Sequence, residues 1–565
     1  MYDIYALATL VISLILIAGV LFKKNTVGNG ESKLSSFWEF ISNFLDKYYW
    51  VVLILIGLAF LVTRLFRFDS YPNGIHIDEI SMATDAKMLR DWGTDRLGVR
   101  YPVYLQSYGG GQNVFSTYAN MLLFKFVPIT ISSMRILSVV WGLLCLIATF
   151  GICSEILEDR KWGLIGAILV TILPVYLMSE RWALESYVLL PLSTIAMYFA
   201  IKAVKSNKLI YFILTGIMLG AAMYTYAISY FVFPIMLVLV LAYLLYLERL
   251  TVKNALGLII PLAILGAPLI AFQLVVMDII PSFSTPFSDF FAFPFERETE
   301  ISLANIPNSL IFMFKGMLVG GEELSYNSTA EFGNVYLFLV PLVVLGLGFA
   351  IWELVRSLKE REFKPSVLVL IFFVASFIVS ILLLGPNTNR VNEIYMPICI
   401  FICMALFYLF RNKKGALVTY GVMGAATFVF FLYFYFCCFD EVYGMPVLFT
   451  SDQGIKAVFR AEENYVQDGT EVYITFEDHV EKQNMKTYFF FGDEDEKWSE
   501  ECMSYGNVTI GFPEEFDENE NAIYILDYNG RDHIISYLTS LGWYVDNTYP
   551  EYAIVVKPQL LGGTE

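Results

Sequence analysis

Long apolar runs separated by short polar connections dominate the first 437 residues of the chain. A helix that crosses a bilayer needs about 20 apolar residues, and twelve runs meet this requirement. Only 16% of the 565 residues are charged, whereas about a quarter are charged in an average soluble protein. The sequence therefore predicts a mainly α-helical, multi-pass membrane protein. The predicted spans lie near residues 4–22, 48–66, 134–153, 163–179, 187–204, 209–226, 231–247, 256–276, 335–354, 366–384, 394–410 and 416–437.

Basic residues are concentrated in alternate connections between these spans, whereas the opposite short connections carry only Arg181 and Arg390. By the positive-inside rule the basic set faces the cytoplasm. The long loops 67–133 and 277–334 and the C-terminal tail are then extracytoplasmic, which predicts a cell-membrane protein whose active site lies on that side. The basic set comprises Lys23, Lys24, Lys33, Lys47, Arg160, Lys161, Lys202, Lys205, Lys208, Arg249, Lys253, Arg356, Lys359, Arg361, Lys364, Arg411, Lys413 and Lys414.

The C-terminal tail differs from the rest of the chain in charge. Between Asp440 and Glu565 there are 26 acidic and 7 basic residues, and the runs 493–496 and 514–520 are expected to be solvated surface. The tail alternates short apolar stretches with helical patterns, which predicts a small α/β domain. The predicted strands are 472–476, 507–512, 522–528 and 552–558, and the predicted helices are 453–466 and 531–541.

Three domains follow from this organisation. An additional N-terminal membrane helix and a cytoplasmic linker occupy residues 1–47, and the main transmembrane domain occupies 48–437. The acidic α/β domain occupies 438–565. The chain contains no phosphate-binding GxxxxGK[ST] motif, which argues against direct use of a nucleotide.

An acidic pair stands at the start of the first long loop, in the stretch YPNGIHIDE (71–79). The apolar spacing that follows predicts a helix beginning at this pair. Two interpretations of Asp78 stay open: it caps the helix N-terminus, or it acts as a general base at the membrane surface while Glu79 binds an acceptor or a metal. His76 either hydrogen-bonds to the site or packs.

Three arginines lie near span ends on the same predicted side as Asp78: Arg135, Arg181 and Arg390. Charged residues at such positions often mark function, and guanidinium groups suit a lipid phosphate because they bind it bidentately. The alternatives are an ion pair between Arg181 and Glu185, which are four residues apart, and extension of Arg135 and Arg390 towards lipid headgroups.

The first long loop also contains the glycine-rich stretch YGGGQNVFSTY (108–118). Consecutive glycines permit close approach of a ligand, or they simply form a turn. Helices over 79–91 and 112–126 are expected to lie in the membrane interface, where together with loop 277–334 they could exclude water as a lid.

These segments together resemble the GT-C superfamily of integral-membrane glycosyltransferases, and glycosyltransferase family 39 in particular. That family contains protein O-mannosyltransferases and lipid A aminoarabinose transferases. The resemblance rests on P-x-G-x-H-x-D-E (72–79) and on motifs that follow it in order. These motifs are WGTDRLGVRYPVY, YGGGQNVFSTY, SMRILSVVWG, SERWALES, FGNVYLFLVPLVVLGL and NRVNEIYMP.

The resemblance implies an inverting transfer of a sugar from a polyprenyl-phosphate donor to a hydroxyl of an extracytoplasmic glycan, lipid or protein. It implies Asp78 as the base and Glu79 as its acceptor- or metal-binding neighbour. Arg135, Arg181 and Arg390 are implied contacts to the donor phosphate. No cofactor is certain, and a divalent metal is possible. Accessory positions are His76, Tyr104, Glu185 and Asn392.

Two features depart from the family pattern: the additional first span and the α/β tail in place of a β-trefoil insertion. They favour a bacterial enzyme over a protein mannosyltransferase. The alternative from another class is a non-catalytic exporter or flippase of lipid-linked saccharides. It predicts polar groups deep in the spans and internal repeats, whereas the polar residues here gather at one face.

Overall fold

The structure is a computed structural model of the full chain. The acidic runs 493–496 and 514–520 lie outside the described residues, so their exposure stays a prediction. The described residues are 2–22, 33–69, 71–72, 74–107, 110–292, 302–319, 324, 326–439, 442, 449–450, 453–467, 469–475, 504–511, 521–549 and 552–561.

Helices account for most of the described chain, which confirms the predicted fold class. In chain order they are α1 (Tyr2–Leu21), α2 (Lys33–Leu65), α3 (Ile77–Trp92), α4 (Phe115–Leu123), α5 (Ile131–Leu157), α6 (Arg160–Ile172), α7 (Pro174–Ser179), α8 (Glu185–Ser206), α9 (Leu209–Ala222), α10 (Ser229–Tyr246), α11 (Val252–Val276), α12 (Ile306–Phe314), α13 (Gly316–Val319), α14 (Val340–Glu360), α15 (Pro365–Leu382), α16 (Tyr395–Phe410), α17 (Lys414–Cys437), α18 (Gln453–Asn464) and α19 (Tyr528–Ser540).

Ten helices of the described chain are long and apolar enough to cross a membrane. They are α1, α2, α5, α8, α10, α11, α14, α15, α16 and α17.

Two of the twelve predicted spans are shorter than the sequence indicated. The predicted span 163–179 is divided into α6 and α7, because Pro174 has no N–H and holds the residue before it in an extended conformation. Leu173 accordingly has φ −70° and ψ 134°. The predicted span 209–226 ends as a helix at Ala222.

The chain divides into two compact units. The helical unit contains residues 1–68, 103–116 and 135–442, and the loop–tail unit contains residues 69–102, 117–134 and 443–565. Two segments of the first long loop thus pack with the tail, which the sequence did not indicate. The predicted boundaries at residues 47 and 437 stay predictions.

Close helix packing in the helical unit depends on glycines. A Cβ atom on Gly346 of α14 would lie 1.9 Å from the carbonyl oxygen of Phe401 in α16. A Cβ atom on Gly216 of α9 would lie 2.2 Å from the carbonyl oxygen of Leu258 in α11. Small residues allow membrane helices to approach until their backbones touch, so these two contacts set the spacing of two helix pairs.

Twelve short strands complete the described structure. They are β1 (Ile75–His76), β2 (Tyr104–Ser107), β3 (Gly110–Asn113), β4 (Phe283–Ser284), β5 (Asp289–Phe290), β6 (Phe449–Thr450), β7 (Glu471–Ile474), β8 (Ser504–Tyr505), β9 (Val508–Ile510), β10 (Ala522–Asp527), β11 (Tyr544–Asp546) and β12 (Tyr552–Val556).

The tail folds around a six-stranded mixed sheet with the strand order β11-β12-β10-β7-β9-β8. Strand β7 runs parallel to β9 and β10, and the other pairings are antiparallel. Residues of α18 pack on one face of the sheet and residues of α19 pack on the other. The predicted α/β tail is confirmed, including its two helices and its four predicted strands.

Contacts between described residues join the first long loop to the tail within the loop–tail unit. Met88 of α3 is fully buried in the same apolar cluster as Ala457 of α18 and Ile554 of β12. Strand β1 pairs with β6, so that Ile75 lies opposite Thr450 and His76 opposite Phe449. The acidic pair therefore follows a strand whose partner belongs to the tail.

Candidate active site

The acidic pair lies in the first turn of α3, as predicted, but His76 is the residue that caps this helix. Its Nδ1 accepts a hydrogen bond from the backbone N–H of Asp78 at 3.0 Å. Asp78 is thus not the N-cap residue, and that interpretation of Asp78 is wrong.

Glu79 completes a capping box with His76. Its Oε2 accepts the backbone N–H of His76 at 3.0 Å, and its side chain is fully buried. A capping box usually pairs Ser or Thr with Glu, and here histidine takes the first position. The orientation of Glu79 is accounted for by helix capping.

Asp78 differs from both neighbours because its side chain remains 47% exposed. Its Oδ2 lies 3.6 Å from Nδ1 of His76, which is too long for a hydrogen bond. Of the three polar residues in the HIDE stretch, Asp78 is therefore the one whose carboxylate solvent or a substrate can reach. The helix N-terminus favours its negative charge.

Arg181 is committed to the end of α2. Its Nη1 donates to the carbonyl oxygens of Thr63 and Arg64, and its Nη2 donates to those of Phe66 at 2.8 Å and Arg67 at 3.2 Å. The last carbonyls of a helix have no partner within the helix. Arg181 supplies such partners and is fully buried, so these contacts account for its position without a ligand.

Arg135 and Arg390 have different surroundings. The guanidinium of Arg135 is buried and lies 4.5 Å from the ring centroid of Trp182. Nη1 of Arg390 donates to the carbonyl oxygen of Leu384 at 2.7 Å, and the residue is half-buried. Of the three predicted phosphate ligands, Arg390 is the most accessible and Arg181 the most fully engaged by backbone.

A buried charge network that the sequence interpretation missed lies beside Arg181. Nε of Arg64 donates to Oε2 of Glu180 at 2.6 Å, and the hydroxyl of Tyr187 donates to Oε1 at 2.8 Å. Arg64 also donates to the carbonyl oxygens of Thr171 and Val170. The signal that could have revealed it is an arginine inside the apolar run 48–66, which requires a partner within the membrane.

Residues 110–113 of the glycine-rich stretch form β3, which pairs antiparallel with β2, and α4 begins at Phe115. A Cβ atom on Gly111 would lie 2.1 Å from the ring of Tyr104, so this glycine accommodates a neighbouring side chain. The Tyr104 ring is buried and stacks on Phe272 with a centroid distance of 5.3 Å. The predicted accessory role of Tyr104 stays a prediction.

Glu185 and Asn392 both make contacts that order nearby backbone. Oε2 of Glu185 accepts the backbone N–H of Asn113 at 2.5 Å. The side-chain amide of Asn392 donates to the carbonyl oxygen of Ser186 at 2.5 Å and is buried. These two residues join the start of α8 to the β2–β3 hairpin and to the segment before α16.

Two further carboxylates of the loop–tail unit have perturbed acidity. Burial and the nearby charge of Asp85 raise the pKa of Asp95 to about 6, although its Oδ1 accepts the N–H groups of Leu97 and Val99. Burial also raises the pKa of Asp85, and Arg96, whose Nη2 lies 3.2 Å from Oδ2, opposes that change.

A divalent metal was left possible, with Glu79 as a ligand. Within the described part of the chain, no three His, Cys, Asp or Glu side chains are grouped as a metal site. Glu79 bonds to the backbone of His76, as described above.

Known proteins that are similar to this chain are of the same kind as those that its sequence motifs resemble. A family model described as dolichyl-phosphate-mannose-protein mannosyltransferase matches residues 116–275. No curated protein matches the sequence.

Among solved structures, the fold is similar to that of ArnT from Cupriavidus metallidurans. The apo form is 12% identical with a TM-score of 0.54, and the match covers 92% of this chain and 99% of the ArnT chain. The form bound to undecaprenyl phosphate is 12% identical with a TM-score of 0.53, and the coverage is 92% and 100%.

The oligosaccharyltransferase of Archaeoglobus fulgidus in complex with Zn and sulfate is 13% identical with a TM-score of 0.48. The match covers 77% of this chain and only 60% of the archaeal chain, and at this TM-score it adds nothing to the fold assignment. The match to ArnT runs over nearly the full length of both chains. The predicted resemblance is confirmed, and the chain has the fold of the GT-C integral-membrane glycosyltransferases.

Proposed function

We propose that the protein transfers a sugar from a polyprenyl-phosphate donor to a hydroxyl group of an extracytoplasmic acceptor, with inversion at the anomeric carbon. The observation that carries this proposal is the exposed carboxylate of Asp78 on a capped helix start. His76 and Glu79 fix the helix start, while Asp78 presents its side chain outward. A base held in this way does not need to reorganise when an acceptor binds.

The donor class is supported from two directions. The matched family model describes dolichyl-phosphate-mannose enzymes, and ArnT, whose fold this chain shares, is solved with undecaprenyl phosphate bound. In such a donor the leaving group is already a phosphate, so the reaction needs positive charge near that phosphate more than it needs a general acid.

Arg390 and Arg135 are the arginines we propose for the donor phosphate. Arg390 is half-buried, so an anion can reach its guanidinium. Arg135 is held over Trp182, which fixes its direction. We assign Arg181 the supporting task of holding the end of α2, since its guanidinium bonds four backbone carbonyls.

In this proposal the C-terminal tail and the acceptor lie outside the cytoplasm. The distribution of Lys and Arg among the connections predicts this orientation. Acceptors on that side include a wall polymer, a glycolipid or a secreted protein.

The test is transfer by purified protein in liposomes that contain one polyprenyl-phosphate sugar at a time, with Asp78→Asn as the variant. Removing a general base costs about 10²–10⁴-fold in rate. Asp91→Asn is the matched control, because it makes the same substitution at the far end of α3. Near wild-type transfer by Asp78→Asn would refute the base. If none of the donors supported transfer by the wild-type protein, the exporter interpretation would replace the proposal.

A further inference from the structure

A large apolar groove lies in the helical unit, and its lining contains none of the residues proposed for the reaction. It has a volume of about 1010 Å³ and is lined by α2, α6, α16 and α17. Its walls are almost entirely aliphatic and aromatic, and they include Ile56, Ile168, Phe407 and Val429. The proposed reaction does not use any of these residues.

One end of the groove is basic. Lys161, Arg411 and Lys414 line it there, with Asp159 as the one acidic residue of the lining. Asp159 caps α6 by accepting the backbone N–H of Lys161, whose ammonium lies 2.9 Å from Asp46. Arg411 is exposed and stacks on the Phe407 ring at 5.0 Å, so it holds its charge at the mouth.

Two helix N-termini face the same end. Helix α6 begins at Arg160 and α17 begins at Lys414, and the N-cap residue of α17, Lys413, provides no side-chain cap. The partial positive charge of a helix N-terminus favours an anion. Basic side chains and helix dipoles thus act in the same direction at the mouth of an otherwise apolar groove.

The depth of the groove suits a lipid of one leaflet. The lining runs from Lys161 to Ile172 along α6 and from Lys414 to Val429 along α17. At a rise of 1.5 Å per residue these stretches are about 16 Å and about 22 Å long, and half of the hydrocarbon core of a bilayer is about 15 Å thick. A phospholipid with its phosphate at the mouth would place its acyl chains along this length.

Two glycines keep the groove open. A Cβ atom on Gly421 of α17 would meet nothing within 4 Å, and one on Gly424 would meet only Cδ1 of Ile172 at 3.5 Å. Both glycines line the groove. A side chain at Gly421 would therefore enter the groove without displacing protein atoms.

We propose that this groove binds one anionic phospholipid from the leaflet on the Lys- and Arg-rich side of the membrane. Its phosphate is bound by Arg411 and Lys414, with Lys161 beside them, and its acyl chains fill the space between α2, α6 and α17. The lipid is a structural ligand, distinct from the sugar donor. It stabilises the helix α2 whose end Arg181 holds.

The experiment adds phosphatidylglycerol, phosphatidylcholine or undecaprenyl phosphate to delipidated, purified full-length protein. Native mass spectrometry counts the bound lipids, and thermal unfolding measures stabilisation. We expect one tightly retained phosphatidylglycerol, a rise in the unfolding temperature and at least tenfold weaker retention of phosphatidylcholine. Equal effects of the two phospholipids, or displacement of phosphatidylglycerol by equimolar undecaprenyl phosphate, would overturn the proposal.

Two variants locate the site. Gly421→Leu fills the groove and should abolish retention, whereas Gly415→Leu is the control, because Gly415 lies on the same helix in open space outside the lining. Arg411→Gln with Lys414→Gln should remove the preference for the anionic lipid. Arg249→Gln with Lys359→Gln makes the same change in charge outside the lining. Unchanged retention in Gly421→Leu would contradict this site even if the protein binds lipid elsewhere.

Discussion

Asp78 and Glu79 are adjacent in sequence, but their carboxylates have opposite surroundings. Glu79 is buried against the backbone N–H of His76, and Asp78 is nearly half exposed. Adjacent residues at a helix start point in different directions, so one can serve the fold while the other serves a substrate. Substitutions at the two positions should therefore affect different properties of the protein.

Glu79→Ala is expected to lower the stability of the protein. The substitution leaves the buried N–H of His76 without its acceptor, which costs about 1–3 kcal/mol. Thermal unfolding of the purified variant measures the loss. Glu79→Gln is the control, since its amide oxygen can still accept the N–H. A Glu79→Ala protein as stable as the wild type would refute the capping role. Normal stability with lost transfer in Glu79→Gln would indicate an additional role in acceptor binding.

Asp95 should make the stability of the protein depend on pH. Its pKa is raised from 3.8 to about 6 in the folded state, so the folded state binds this proton more tightly than the unfolded state does. The corresponding stability is fully present below pH 3.8 and is lost as the pH rises through about 6. Asp95→Asn retains an acceptor oxygen for the N–H groups of Leu97 and Val99 but removes the titration.

The measurement compares the unfolding temperatures of wild type and Asp95→Asn at pH 5 and pH 7.5. The wild type should lose more stability over this interval than the variant does. Asp85 and Arg96 interact electrostatically with Asp95, so the difference between the two proteins reports the titration of Asp95 together with its effect on these two neighbours. Identical pH dependence in the two proteins would show that Asp95 does not titrate in this range.

The acidic helix start could be read from the sequence, but the identity of its cap could not. Histidine is an uncommon cap, and its ability to accept through Nδ1 depends on the tautomer and on ring orientation, which local sequence does not determine. The Arg64–Glu180 pair was missed for another reason. The two residues lie 116 positions apart, so only the packing of α2 against the α6–α7 segment brings them together.

At the scale of helices, α14 and α16 should be sensitive to a single methyl group. Gly346→Ala would place a Cβ atom 1.9 Å from the carbonyl oxygen of Phe401, and overpacking of this kind costs about 1–3 kcal/mol. Gly348→Ala, two residues later in α14, would meet nothing within 4 Å. We expect a lower unfolding temperature for Gly346→Ala and an unchanged unfolding temperature for Gly348→Ala. Equal effects would show that helix propensity, not the contact with α16, decides the outcome.

The positions of the membrane helices followed from apolar runs because the bilayer requires a minimum length of apolar helix. Their internal breaks were harder to predict. Pro174 divides one span into α6 and α7, whereas Pro191 of α8 and Pro234 of α10 lie inside continuous helices. Neighbouring helices can compensate for the lost hydrogen bond in a membrane, so proline alone does not locate a break.

For the whole molecule, the tail should be required for transfer. It provides the strand that pairs with β1 and the apolar cluster that buries Met88. Deleting residues 449–565 should leave the membrane helices inserted but abolish transfer. A protease site inserted within 443–448 is the matched control. Cleavage there breaks the peptide backbone but leaves the non-covalent contacts between the tail and the first long loop in place. Full activity of the deletion variant would show that β1 and α3 hold their positions without the tail.

Composition alone separated the acidic tail from the membrane helices, but it did not reveal that loop segments pack with the tail. Among the described residues, that association includes two residue pairs in β1 and β6 and one buried methionine. Contacts between segments so distant in sequence leave no periodic pattern in it. The loop therefore read as an independent element when it is part of the same unit as the tail.

The pairing of β1 with β6 also sets an order of events during synthesis. Phe449 lies more than 370 positions after His76, and a ribosome adds roughly 5–20 residues per second. The segment that carries Asp78 therefore waits roughly 20–75 s before its partner strand exists. A nascent chain already inserted in the membrane would lack the pairing of β1 with β6 throughout this interval, so we expect a truncated or stalled product to be inactive in the proposed transfer.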